Sequence, residues 1–124
     1  MHDFRGLYEK AREAGLAAGE AAKPRPMIVG TPTTPFGNEI DYTKRTYFEP
    51  EGVCGFAWVV IKGNTAFGRW AKKAGLASKN YPKGLMFWVR DFNQSMARKE
   101  AYARAFAKVL NDGGVNAYAN SRLD

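Results

Sequence analysis

The chain has 124 residues, 45% of them hydrophobic and 25% charged, with a formal net charge of +7. That balance fits a single domain with room for one core, and it excludes wholesale disorder. No apolar run approaches the roughly 18 residues of a membrane-crossing helix. The opening MHDFRGLYEK has no basic stretch leading into an apolar one, so a protein of the cytoplasm is expected.

Residues 3–23 read as a helix. Phe4, Leu7, Tyr8, Ala11 and Ala18 fall near one face, and Asp3 stands where a cap belongs. Gly15 and Gly19 weaken it, by about 1 kcal/mol each relative to alanine. Residues 26–51 hold four of the six prolines and form a long irregular connection, with short extended pieces at Met27–Val29 and Thr46–Phe48. From residue 52 the pattern sharpens. Gly55–Lys62 is β-branched and aromatic and reads as a strand. Asn64 or Thr65 caps a short helix through Lys73, closed by Gly75. The loop ASKNYPKG, with Pro82, Lys83 and Gly84 as its turn, leads to a strand over Leu85–Arg90. Asn93 or Ser95 opens a second long helix, which ends near Asn111 before Gly113 and Gly114, and Val115–Asn120 is the last strand. The expectation is an α+β fold: a β-α-β-α-β core over 52–124 with its helices on one face of the sheet, preceded by an N-terminal helix within 1–25 and the Pro/Gly-rich connection.

Alternation along the strands separates two faces. Ala57, Val59, Ile61, Leu85, Phe87, Val89, Val115, Ala117 and Ala119 make an apolar face for the later helices. The opposite face carries Phe56, Trp58, Val60, Met86, Trp88, Arg90, Asn116, Tyr118 and Asn120. Trp58, Trp88 and Tyr118 beside Arg90 would make a stacking platform for unpaired bases. The plainer reading covers this face with the N-terminal helix or a partner subunit, including a second copy of the chain.

Charge is unevenly placed. Residues 1–51 hold 7 Lys/Arg against 8 Asp/Glu, a net of −1, whereas residues 52–124 hold 12 against 4, a net of +8. Residues 62–90 contain Lys62, Arg69, Lys72, Lys73, Lys79, Lys83 and Arg90 without a single acid. Arg69, Lys72 and Lys73 share one side of the short helix, and with Lys79 and Lys83 they would track a phosphate backbone. A solvated helix face is the competing reading.

Chemistry-bearing motifs are few. Gly63–Trp70 approaches a phosphate loop, but Arg69 replaces its lysine and Trp70 its magnesium-holding hydroxyl, so nucleotide hydrolysis is not expected. GFAWVVI echoes an RNA-recognition submotif with Cys54 in place of the basic residue, and the order of elements is wrong for that fold. His2, the single histidine, stands at the terminus and is not expected to reach Cys54 or a serine as a triad base. Cys54 reads as a small buried residue. Glu39, Asp41, Asp91 and Asp124 are scattered, so neither a catalytic centre nor a metal or cofactor site is expected.

Five stretches, CGFAWV, the Trp70–Leu76 helix end, YPKG, NQSMARKEA and AYANSRLD, carry a resemblance to a family of small proteins encoded by bacteriophages and prophages. PMIVGTPTTPFGNEIDYTK extends the resemblance over about residues 26–124. It implies a phage product made in a bacterial cytoplasm, and it brings no functional residue with it. Physically, Arg122 and Asp124 in the last stretch would tie the final strand down, by an ion pair or through the terminal carboxylate.

The function expected from these features is non-catalytic binding of nucleic acid or a nucleoprotein, with Arg69, Lys72, Lys73, Lys79 and Lys83 on phosphates and Trp58, Trp88, Tyr118 and Arg90 at the bases. The alternative is a protein–protein inhibitor of host machinery, directed at a defence complex or a polymerase, since Trp, Tyr and Arg are the residues interfaces favour. A virion component is the remote alternative.

Overall fold

The computed structural model describes residues 3–24, 26–29, 47–49 and 51–124. His2, Glu39, Asp41 and Thr46 lie outside the described residues. The elements run α1 (Phe4–Ala21), β1 (Met27–Val29), β2 (Tyr47–Glu49), β3 (Gly55–Ile61), α2 (Ala66–Lys73), β4 (Ser78–Lys79), β5 (Leu85–Trp88), α3 (Met96–Asp112) and β6 (Ala117–Leu123). β1 and β2 pair antiparallel, with Ile28 opposite Phe48. The main sheet is antiparallel throughout, in the order β4-β5-β3-β6. The fold is a small α+β one, and among the described residues no helix is long and apolar enough to cross a membrane.

Local chemistry sets the helix ends. Asp3 Oδ1 accepts from the Gly6 amide at 2.8 Å, the Thr65 hydroxyl from Gly68 at 3.0 Å, and the Ser95 hydroxyl from Arg98 at 3.4 Å. Gly75 and Gly114, at φ +77° and +88°, end α2 and α3 in the left-handed conformation that glycine tolerates.

The apolar face reads as the alternation requires. Ala57, Val59, Ile61, Leu85, Phe87, Val89 and Ala117 are buried in one core with Phe67, Ala71, Tyr102, Phe106 and Leu110 of the helices, and Val115 and Ala119 pack against it. All three helices lie on this side. Tyr8 of α1 meets Phe87 and Phe106, each at 5.8 Å, and Phe4 meets Phe67 at 5.6 Å. α1 approaches α3 along Ala11, Gly15 and Gly19, a stripe with an i, i+4, i+8 spacing. A Cβ on Gly15 would come within 2.9 Å of the Tyr102 ring, so glycine is what allows that ring to lie on the helix. The helix propensity lost at these glycines is thus offset by tertiary packing.

Three boundaries differ from expectation. The last strand begins at Ala117, not Val115, because the Val115 amide is used to close α3 on the Leu110 carbonyl at 2.8 Å. The Asn111 side chain then takes both backbone groups of Ala117, at 3.1 and 2.8 Å, and the strand runs on to Leu123. β5 is shorter than Leu85–Arg90, although the Val89 amide still donates to the Ala57 carbonyl at 3.1 Å. After it the chain turns through Phe92 and Asn93 in the left-handed region, at φ 70° and 48°. The loop over 77–84 contains the two-residue edge strand β4, whose polar Ser-Lys sequence has no apolar alternation to announce it. Cys54 is exposed rather than buried, since it precedes β3 in a single bridge to Ser95. The final strand is tied by Arg122, 5.4 Å over Phe56, and by the Asp124 amide donating to Cys54, with no Arg122–Asp124 ion pair.

Arg98 joins the layers. Its Nε lies 2.7 Å from Glu51 Oε2, and its Nη1 donates at 2.9 Å to the carbonyls of Gly19 and Glu20 in the last turn of α1. A cation there complements both the orphan carbonyls and the helix dipole. Arg98→Ala is expected to cost about 1.5–3 kcal/mol in chemical denaturation, the range for hydrogen bonds to a charged group.

Arg12 Nη1 donates to the Tyr102 hydroxyl at 3.2 Å and lies 3.5 Å from Asp91 Oδ2, so Asp91 helps to hold α1. Burial raises the Tyr102 phenol above the ordinary tyrosine value of 10.0, and the Arg12 cation offsets this only in part. Burial alone would lower the Arg12 guanidinium, but Tyr102 and Asp91 outweigh it and the net shift is upward. With Tyr102 raised, the folded state holds the phenolic proton more tightly than the unfolded chain. This contribution is intact below the ordinary tyrosine value and is lost as pH rises above it through the raised value of the folded state. The denaturation midpoint is expected to fall as pH rises above about 10, and Tyr102→Phe to flatten that fall.

Candidate nucleic-acid interface

The outer face of the sheet, opposite the helices, is built in rows. Trp58 stands across from Trp88 on one side and Asn120 on the other, and Val60 stands between Met86 and Tyr118. Phe56 pairs with Arg122, and the Val89–Ala57 bond carries the alternation on so that Arg90 follows at the Phe56 end. The Trp58 and Trp88 rings stack with centroids 5.5 Å apart and planes 11° apart, and Phe56 flanks Trp88 at 5.5 Å. The result is a continuous aromatic ribbon, Trp58–Trp88–Phe56, of partly buried rings. Arg90, Asn116, Asn120 and Arg122 are exposed around it, and Tyr118 is 57% exposed. No strand position on this face carries a carboxylate.

α1 does not cover the ribbon. It lies on the core side against α2 and α3, which removes one of the two plain explanations for the aromatics.

The basic segment is divided between two sides of the molecule. Phe67, Gly68 and Ala71 turn inward from α2, while Arg69, Lys72 and Lys73 are exposed on its other side, in the helical layer. Lys79 is exposed and sits across from inward-facing Leu85, so it belongs to that side as well. Lys83 instead lines the outer end of the sheet together with Lys62 and Tyr118. The expected site residues therefore form two surfaces: Arg69, Lys72, Lys73 and Lys79 beside the helices, and Trp58, Trp88, Tyr118, Arg90 and Lys83 on the sheet. Arg5 adds to the first by lying 5.3 Å over Trp70. Arg122 adds to the second. The expected strand stopped two residues short of it, and its place on the face follows from β6 reaching Leu123.

The phosphate-loop look-alike is closed on itself. The Thr65 hydroxyl bonds the Lys62 carbonyl at 3.1 Å as well as the Gly68 amide, and Arg69 Nη1 donates to the Asn64 carbonyl at 3.0 Å. A Cβ on Gly68 would come within 2.5 Å of the Lys62 carbonyl oxygen. The loop is a tight helix start in which the Thr65 hydroxyl and the Arg69 guanidinium already have partners.

The corner where β3 begins is likewise internally satisfied. Gly55 lies against Met96, with a would-be Cβ 2.6 Å from its sulfur. Buried Lys99 donates to the Gly55 carbonyl at 3.3 Å and lies 5.3 Å over Phe56, while the Ser121 hydroxyl donates to Glu100 at 2.8 Å. Residues of CGFAWV, NQSMARKEA and AYANSRLD meet here, and their contacts hold the fold together.

Comparisons with protein-family models, with curated proteins and with solved structures find no match to this chain.

Proposed function

We propose that this protein is a non-catalytic, phage-type accessory protein of a bacterial cytoplasm that binds single-stranded nucleic acid on the outer face of its sheet. The observation that carries the reading is the stacked Trp58–Trp88 pair on a face where the neighbouring charged residues, Arg90 and Arg122, are basic. Aromatic rings on a sheet hold two or three unpaired bases while cations nearby hold the backbone. Phe56, Trp58/Trp88 and Tyr118 lie in successive rows about 7 Å apart, with Arg90 and Arg122 at one end and Lys62 and Lys83 at the other. Arg69, Lys72, Lys73 and Lys79 form a separate cationic side, suited to phosphates that continue past the sheet.

The same Trp, Tyr and Arg composition suits a protein interface, and it favours a host protein as the second reading. Tryptophan fluorescence with a single-stranded oligonucleotide separates the two. Saturable quenching that survives Lys72→Glu/Lys73→Glu is the expected result. Quenching lost in that variant would move the site to α2. An unquenched signal together with capture of one stoichiometric protein from nuclease-treated lysate would establish the protein partner instead.

A further inference from the structure

At the Tyr118 end of the sheet lies a groove of about 550 Å³. Val60 and Ile61 contribute to its apolar floor, and Gly63 and Gly84 line it. A Cβ on Gly84 would meet the Ile61 carbonyl oxygen at 2.7 Å, and its backbone has φ +88°. Tyr118, Asn64 and Asn116 border the groove, and so do Lys62 and Lys83. None of the lining residues is acidic. Lys62 and Lys83 are exposed and, among the described residues, neither is paired with a carboxylate.

We infer that this groove is a nucleotide subsite, taking the base of one nucleoside 5′-monophosphate unit against Tyr118 and its phosphate at Lys62 and Lys83. The inference rests on the nucleic-acid reading for the source of that unit, while the groove itself is tested with mononucleotides alone.

Four features fit this ligand together. The volume lies within the range of small-molecule sites, roughly 300–1,000 Å³. Tyr118 supplies an exposed aromatic surface beside aliphatic floor residues, as a base requires. Asn64 and Asn116 offer amide donors and acceptors for base edges, and neither side chain has a partner among the described residues. Two unpaired ammonium groups without a neighbouring acid complement a phosphate. The groove also lies one row beyond Trp58 and Trp88, so a strand on the ribbon would run directly into it.

A second cavity, about 330 Å³ beside Cys54, is a poor competitor. Its charges are spent on one another, with Arg98 Nε 2.7 Å from Glu51 Oε2 and the Ser95 hydroxyl on the Glu51 carbonyl.

The test is an NMR titration of the isotopically labelled full chain with AMP, dAMP and UMP, set beside adenosine and inorganic phosphate. Saturable shifts confined to Lys62–Asn64, Lys83–Gly84 and Asn116–Tyr118 are expected. Tyr118→Ala is expected to weaken them about tenfold or more, and Lys62→Ala/Lys83→Ala to erase the preference for AMP over adenosine. Tighter binding of AMP than dAMP, or the reverse, would name RNA or DNA as the source. Absence of shifts at millimolar nucleotide, an equal response to phosphate alone, or shifts indifferent to Tyr118→Ala would each overturn the inference. Strand binding that needs Trp58 and Trp88 but ignores Tyr118→Ala would overturn the groove while leaving the proposed function standing. Loss of strand binding with nucleotide shifts intact would do the opposite.

Discussion

Phe106→Ala is expected to lower the unfolding free energy by about 3–5 kcal/mol. The side chain is 1% exposed, and three rings close on it: Phe87 at 5.1 Å, Tyr8 at 5.8 Å and Tyr102 at 5.9 Å. These belong to β5, α1 and α3, so one truncation opens a void shared by the sheet and two helices. Rigid aromatic neighbours relax little into such a void, which places the cost toward the upper part of the range. Against a typical total of about 5–15 kcal/mol, the loss is large enough to read in urea or guanidinium denaturation at constant slope. A change below about 1 kcal/mol would mean that α1 does not close on the core through Tyr8.

Trp88→Ala is expected to weaken single-strand binding by roughly 5–150-fold, the equivalent of about 1–3 kcal/mol per stacked base. Trp88 is the centre of the ribbon, with Trp58 stacked on one side and Phe56 on the other. Its removal therefore breaks the surface in two, whereas Trp58→Ala shortens it. The two residues touch, so the double variant is expected to lose less than the sum of the single losses. Leucine variants at both positions keep apolar cover on the sheet and separate lost stacking from lost stability. Unchanged affinity in the double leucine variant, with an unchanged denaturation midpoint, would remove the ribbon from the site.

Much of this architecture was legible in local sequence. Asp3, Thr65 and Ser95 are helix caps whose hydrogen bonds close within three residues, so no distant partner decides them. The alternation from Gly55 to Ile61 sorts inward from outward side chains whatever lies on either side, and it placed Trp58, Trp88 and Tyr118 on one face. What was not legible depends on long-range packing. Read as a peptide, α1 is weakened by Gly15 and Gly19. In the fold those glycines are where Tyr102 and Phe92 sit, and the spacing of Ala11, Gly15 and Gly19 was the signal of a close helix contact. The side on which α1 docks could not be read, because the connection over 26–51 fixes no direction. The basic run from Lys62 to Arg90 looked like one surface because it is one stretch of sequence. The fold passes it from the sheet to the helical layer and back, and so splits it. Arg122 was missed as a member of the aromatic face because helix closure at Val115 shifts β6 toward the C-terminus.

The most direct test of the account is the salt dependence of binding, measured with purified, nucleic-acid-free protein against single- and double-stranded DNA and RNA at two or more salt concentrations. The expected result is a preference for single strands, with a log–log slope of about 0.7 per phosphate neutralised and affinity lost in Trp58→Leu/Trp88→Leu. Equal binding of duplex and single strand that ignores those substitutions, or no binding at low salt, would contradict it.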